Sequence, residues 1–271
     1  MTNLASCAAY AYTLAESAGK KILEHYSQPI VSQNKPDGSP ITAADQASHN
    51  IIVSGLENFA LDDQGPIPVL SEESPPVTFQ ERQQWRRYWC VDPLDGTREF
   101  IDRNDEFAVN IALIVDHQPV IGIIYIPTQQ RGYLAWQGGG AYRQERDGSC
   151  ERIHTQRPPQ LPLRVLLSRH FGLGTSLPAW LPPAKDLILL HQGSALKFCT
   201  LACGQADIFF RFSATSEWDN AAGQCLLVEA GGAIFSPDWE PLTYNHTASL
   251  RHGNIIAVGD PAFDWLKGFS G

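Results

Sequence analysis

The sequence predicts a mixed α/β chain: two amphipathic helices, a largely antiparallel sheet, then a smaller unit in which strands and helices alternate. Three observations carry this. The N-terminal apolar positions step by three or four. The runs between 88 and 143 are short, β-branched or aromatic, and joined by tight turns. Beyond a proline-rich stretch at 157–162, strand-like and helix-like runs alternate. A chain of 271 residues makes one large domain or two modest ones and needs no disulfide or metal merely to fold. The expected division is 1–157 and 158–271.

Leu4, Cys7, Ala8, Ala11, Leu14, Ala15, Ala18 and Ile22 mark one face of the first helix. Glu16 in its middle and the lack of a basic start separate it from a secretory leader. The polar stretch 28–40, with three prolines and a glycine, reads as a loop. A second helix at 43–59 places Ile51, Ile52, Leu56 and Phe59 on one face. Short strands at 68–70 and 88–91 run into acidic segments. Strands at 108–115 and 119–126 flank Asp116-His117-Gln118, and 132–136 and 141–143 continue the meander around a glycine triplet. In the second half, strands at 165–167, 187–190, 208–210, 233–235 and 255–258 mix with helices at 194–203, 219–230 and, at the end, 262–267.

The formal net charge of −9 argues against nonspecific contact with nucleic acid or anionic lipid. No run approaches 18 uninterrupted apolar residues, so no transmembrane helix is expected. The six cysteines lie at 7, 90, 150, 199, 203 and 225, without zinc spacing. They read as small buried hydrophobes in a reducing cytoplasm. Cys199 and Cys203, four apart on a helix, are expected to face the core.

Asp92-Pro93-Leu94-Asp95-Gly96-Thr97 is the most informative segment. A buried strand delivers Asp92, Pro93 presets a turn and Gly96 permits a close approach. Both carboxylates and the Leu94 carbonyl can then point one way, an oxygen-only cluster suited to Mg²⁺. The Gly96 and Thr97 amides can receive a phosphate. On this segment alone, a turn-and-cap role stands level with a metal role. Glu72 and Glu73, taken alone, are a solvated pair. Asp219 alone is a helix cap, and Asp45 forms a capping box with Thr42 unless it orients the Thr97 hydroxyl.

Together, Thr42 to Asp45, Glu72-Glu73, Asp92 to Thr97 and Trp218 to Gly223 resemble the lithium-sensitive, Mg²⁺-dependent phosphatase superfamily of the inositol monophosphatases. The resemblance extends over most of the chain. Asp95 to Ile101, Arg103 to Leu113 and Gly193 to Cys199 are most similar to its bacterial 3′(2′),5′-bisphosphate nucleotidase branch, CysQ type. Glu99 stands where inositol monophosphatases typically carry Asn.

The resemblance implies a layered α-β-α-β-α sandwich and a site at the junction of its two units. It implies two or three Mg²⁺ ions on Glu72, Asp92, the Leu94 carbonyl, Asp95 and Asp219, and inhibition by Li⁺ and Ca²⁺. Asp45, Thr97 and Glu73 form the implied catalytic set, Asp45 and Thr97 orienting the attacking water. Gly96, Thr97, Ser168, Arg169, Gly193, Ser194 and Lys197 would hold substrate. One departure touches this set: the branch has Ser-Arg-Ser-His where this chain has Ser168-Arg169-His170, one residue short. The implied reaction is hydrolysis of the 3′-phosphate of adenosine 3′,5′-bisphosphate to AMP and phosphate, in sulfur metabolism. The enzyme is expected in the cytoplasm, with peripheral contact at the inner membrane left open. A broad inositol-phosphate or sugar-phosphate phosphatase is the alternative. A metal-dependent binding protein that has lost catalysis is a third reading, disfavoured because Asp45 and Thr97 stand beside every expected metal carboxylate.

Other chemistries lack their motifs. An aspartyl-phosphate enzyme needs Asp-x-Asp, and two residues intervene here. There is no Walker A, dinucleotide loop or nucleophile elbow, and the eight histidines form no metal pair. Trp85, Trp89, Trp136 and Trp218 read as packing residues.

Overall fold

The structure, a computed structural model, describes residues 3–59, 65–169 and 177–267. Helix α1 (Leu4–Tyr26) starts at Asn3, whose side chain accepts the Ser6 N–H, and buries Cys7, Ala8, Ala11, Ala15, Ala18 and Ile22 as their spacing predicted. A hairpin of β1 (Ser32–Asn34) and β2 (Pro40–Thr42) follows within the stretch expected to be loop. Thr42 then caps α2 (Ala43–Glu57).

Seven strands form the larger sheet: β3 (Val69–Ser71), β4 (Arg87–Asp95), β5 (Ala108–Val115), β6 (Gln118–Ile126), β7 (Arg131–Trp136), β8 (Gly140–Gln144) and β9 (Cys150–Ile153). They lie in that order, parallel between β3 and β4 and antiparallel thereafter, a meander with one more strand than the sequence predicted. Two short helices interrupt it, α3 (Phe79–Arg82) before β4 and α4 (Thr97–Ile101) after it. The pleat sorts the side chains. Trp89, Val91, Val109, Ile111 and Leu113 pack under α1 and α2. Tyr88, Cys90, Ala108, Ala112 and Ile114 join a central core on the opposite face.

That central core also holds α5 (Leu196–Ala202), α6 (Glu217–Ala230) and one face of a second sheet. The second sheet runs β11-β10-β12-β16-β14, built from β10 (Leu163–Ser168), β11 (Leu187–Gln192), β12 (Ile208–Arg211), β14 (Ala233–Phe235) and β16 (Ile255–Val258). β13 (Thr215–Ser216), paired with β15 (Arg251–His252) in a small ladder, leads into α6. The outer face of the second sheet, with Val165, Leu167, Phe210 and Val258, is covered by Trp180, Leu181, Trp239, Phe263 and Trp265. The layered α/β arrangement is the expected one. Residues 262–267 correct one expectation. They form turns rather than a terminal helix, because the Trp265 indole and the Ala262 N–H both bond to Asp260. Cys7, Cys90, Cys199 and Cys225 are buried free thiols, Cys203 is half-buried, and Cys150 on β9 is exposed. Among the described residues no helix is long and apolar enough to cross a membrane.

Helix α6 lies in the middle layer at very close range. A Cβ at Gly122 of β6 would stand 2.4 Å from the Ala222 carbonyl oxygen and 2.8 Å from Cys225 Cβ. A Cβ at Gly223 would enter the Phe198 ring. Gly122→Ala must therefore push α6 off the sheet. It is expected to destabilise the protein by about 1–3 kcal/mol, as overpacking does, read as a lower midpoint in urea. An unchanged midpoint would show that the helix is not seated against this strand.

Candidate active site

Strand β4 ends in the acidic turn. Its pairing with β5 shifts register between Asp92 and Asp95. The Ser48 hydroxyl of α2 fixes the turn by donating to the Pro93 carbonyl at 2.6 Å, and the Leu94 N–H donates to Asp92 Oδ1 at 3.0 Å. Gly96 has φ +91°, and a Cβ there would lie 3.0 Å from the Glu106 carbonyl oxygen and 3.2 Å from Ser194 Cβ. Both the conformation and the space call for glycine.

The fold unites this turn with the start of α6. One oxygen from each of Asp92, Asp95 and Asp219 lies within 4.8 Å of the others. Asp219 is the third residue of α6. Its Oδ2 accepts the Ser216 N–H at 2.9 Å and the Thr215 hydroxyl, closing a capping box. Asp45 is built the same way on α2. Its Oδ2 accepts the Thr42 N–H at 2.8 Å, while Oδ1 accepts the Thr97 hydroxyl at 3.0 Å. Capping and the contact with Thr97 thus coexist in one side chain.

Glu72 is held beside β4 by its N–H to the Val91 carbonyl at 3.1 Å. Lys35, in the β1–β2 turn, stands 2.6 Å from both Glu72 Oε1 and Glu73 Oε1. Sequence reasoning missed Lys35, because its partners lie far along the chain. Burial opposes its charge, but Glu72 and Glu73 more than compensate and hold its ammonium above the usual lysine range.

A cavity of about 420 Å³ joins these groups to the second sheet. Glu72, Asp92, Leu94, Asp95, Gly96, Thr97, Ser168, Arg169, Gly193, Ser194, Lys197 and Asp219 all line it. Asp45 stands behind Thr97, and Glu73 is turned to Lys35. His170 lies outside the described residues. Ser194, at φ +52°, donates to Asp95 Oδ2 at 2.6 Å, and the Ala195 N–H reaches the same oxygen. Lys197 Nζ holds the Ser194 and Gln192 carbonyls at 2.7 and 3.1 Å. Burial pushes its pKa down to about 8. Gly193 packs on Glu99, whose Cγ would be 2.8 Å from an added Cβ. Arg211, at the end of β12, also lines the cavity, and its buried Nε has no hydrogen-bond partner. The strand pattern gave no signal for it.

Residues 3–256 match the model of the inositol monophosphatase family. The chain belongs to the inositol monophosphatase family. It is 43% identical over 236 residues to the 3′(2′),5′-bisphosphate nucleotidase CysQ of Salmonella typhimurium, covering 86% of this chain and 91% of that one. The Escherichia coli K12 CysQ is 41% identical over 248 residues, covering 90% and 97%. Among solved structures, CysQ from Bacteroides thetaiotaomicron superposes with a TM-score of 0.74 at 34% identity, over 94% of this chain and 97% of that one.

The family is metal-dependent, and the donor set here fits a metal ion. Asp92, Asp95 and Asp219 offer only hard carboxylate oxygens, packed closer than like charges tolerate alone. Burial pushes Asp92 well up, with Glu72, Asp95 and Asp219 adding to it. Burial and Asp219 likewise raise Asp95. Burial lifts Glu72 to about 7 against the pull of Lys35.

A carboxyl whose pKa rises on folding binds more protons folded than unfolded, so its contribution is present at low pH and lost as pH rises through the folded value. For Glu72 the window runs from 4.5 to about 7. The metal-free protein should therefore melt lower at about pH 8, above that window, than at about pH 4.5, its lower edge, and a divalent cation should restore the loss. Asp92→Asn should raise the metal-free melting temperature at the higher pH and remove the response to metal. Melts in EDTA that are flat with pH would refute the repulsion.

Proposed function

We propose that this chain is a Mg²⁺-dependent 3′(2′),5′-bisphosphate nucleotidase, hydrolysing the 3′-phosphate of adenosine 3′,5′-bisphosphate to AMP and phosphate in the cytoplasm. The carrying observation is that one cavity joins the carboxylate cluster to a basic flank, with Lys197 and Arg211 near Asp95 and Arg169 also in the lining. The carboxylates suit the cations that serve the scissile group. The flank suits a second, retained phosphate, and the nucleotidase relatives over most of the chain support that substrate. A monoester of inositol would have no use for the flank.

Bound ions would neutralise the phosphate and make the attacking water more acidic. The chain's own groups do the positioning. Because the Thr97 hydroxyl gives its hydrogen to Asp45 Oδ1, its oxygen is left to accept one from the attacking water. The water's proton then moves to Thr97 as the Thr97 proton moves to Asp45. Burial raises the Asp45 pKa, so the carboxylate is a better acceptor than an exposed one. The P–O3′ bond breaks opposite the new P–O bond, and solvent protonates the ribose oxygen. The Gly96 and Thr97 amides receive the scissile phosphate.

Asp45→Asn and Thr97→Ala should each lower kcat by roughly 10²-fold or more with little change in KM. If Asp45 were only a cap, its replacement would cost about 1 kcal/mol of stability and little rate. Melting temperature and kcat on the same variant decide between the two.

The substrate is tested by comparing kcat/KM for adenosine 3′,5′-bisphosphate and inositol monophosphate at one Mg²⁺ concentration. The bisphosphate should be preferred, and Arg211→Ala should reduce its kcat/KM about tenfold more than that of the monoester, the scale of one charged hydrogen bond. Preference for inositol monophosphate would overturn the substrate, and full activity in excess EDTA would overturn the metal mechanism.

A further inference from the structure

Glu106, between α4 and β5, stands behind the cavity's lining residues Arg169 and Gly193, and the reaction above gives it no part. Both of its carboxylate oxygens are nonetheless engaged. Oε2 accepts the Gly193 N–H at 2.7 Å and Arg169 Nε at 2.5 Å, and Oε1 accepts Arg169 Nη2. The partners come from separate elements, since Arg169 follows β10 and Gly193 lies between β11 and α5. The Glu106 backbone carbonyl, meanwhile, lies against Gly96. Glu106 therefore links the phosphate-receiving turn to both segments on the far side of the cavity.

A carboxylate beside a pocket for a polyanion is unfavourable unless its charge is matched. The Arg169 fork matches it in two-pronged geometry. Burial works against the Glu106 charge, but Arg169 and the Gly193 amide outweigh it and hold the carboxyl below the usual range. Of the five guanidinium N–H donors of Arg169, two go to Glu106 and three are left. The Arg169 side chain is 40% exposed. Without Glu106 it would regain its rotamer freedom, which substrate binding would then have to remove. The 192–195 loop would keep its ties to Asp95 and Lys197 but lose the one at Gly193.

We infer that Glu106 is a positioning residue: it fixes Arg169 and the 192–195 loop against the part of the substrate outside the metal centre, and so sets the preference for a nucleotide with a second phosphate. The inference rests on the bisphosphate nucleotidase reading and adds to it the group that orders the nucleotide side.

The test measures kcat and KM for adenosine 3′,5′-bisphosphate and adenosine 3′-monophosphate on the Mg²⁺-loaded enzyme. In Glu106→Gln the ratio of the two kcat/KM values should fall about tenfold, the scale of a lost charged hydrogen bond, through a higher KM for the bisphosphate. Arg169→Gln should lower the ratio similarly, and the double variant no further than the worse single one. An equal loss on both substrates, or a loss in kcat alone, would reduce Glu106 to a structural role and overturn the inference. Should Glu106→Gln fail to fold, Arg169→Gln alters only a partly exposed side chain, and an unchanged ratio there overturns it as well. If the unaltered enzyme does not prefer the bisphosphate, the nucleotidase reading falls and this inference with it. If it does prefer it and the variants keep the preference, the inference alone falls.

Discussion

Three carboxylates with oxygens within 4.8 Å of one another repel, and burial makes the repulsion stronger. The chain holds them there by dividing each side chain between two tasks. Asp92 gives one oxygen to the Leu94 N–H, Asp95 gives one to Ser194 and Ala195, and Asp219 gives one to Ser216. Asp45 divides itself the same way between Thr42 and Thr97. Backbone N–H groups favour the ionised form and partly offset desolvation. They also fix orientation, so the geometry offered to a cation is set by caps and turns that exist before it binds.

The second requirement is that α6 bring Asp219 to β4 from the other half of the chain. Gly122 and Gly223 let the helix settle between the large sheet and Phe198. Its first turn is tied down separately. Glu217 accepts the Asn245 N–H at 2.9 Å, and Asn245 is gripped by the buried guanidinium of Arg82, the last residue of α3. Burial raises Glu217 to about 7 despite these donors. Asp219 is thus located from both ends, by close packing along α6 and by a polar network at its start.

What could be read from the sequence was local. The Thr42–Asp45 box, the Asp92–Thr97 turn and the apolar, turn-bounded runs of the meander depend on neighbours a few residues away. The β1–β2 hairpin was hidden because Ser32, Gln33 and Asn34 are exposed and show no alternation. Residues 262–267 misled because Phe263 and Trp265 anchor a turn to the outer core without forming a helical face. Lys35 and Glu106 were opaque for a different reason. Each is defined by an ion pair across tens of residues, 37 for Lys35 with Glu72 and 63 for Glu106 with Arg169. No spacing rule reports such a pair. The family resemblance supplied the carboxylate set, yet it could not say that one oxygen of each was already committed.

Several of the basic groups in and beside the cavity are already matched. Lys35 is taken by Glu72 and Glu73, Arg169 by Glu106, and two protons of Lys197 by loop carbonyls. Arg211 differs, since its Nε is buried without a partner. An unpaired buried donor is costly, so a phosphate oxygen that reached Arg211 would offset that cost. On the proposed reading, the two phosphates of one nucleotide then meet two physically different sites. Charge carried by exchangeable ions serves the group that is transferred and must leave. Charge fixed in the chain serves the group that is kept, which lets selectivity be altered at the flank without disturbing the carboxylates that run the chemistry.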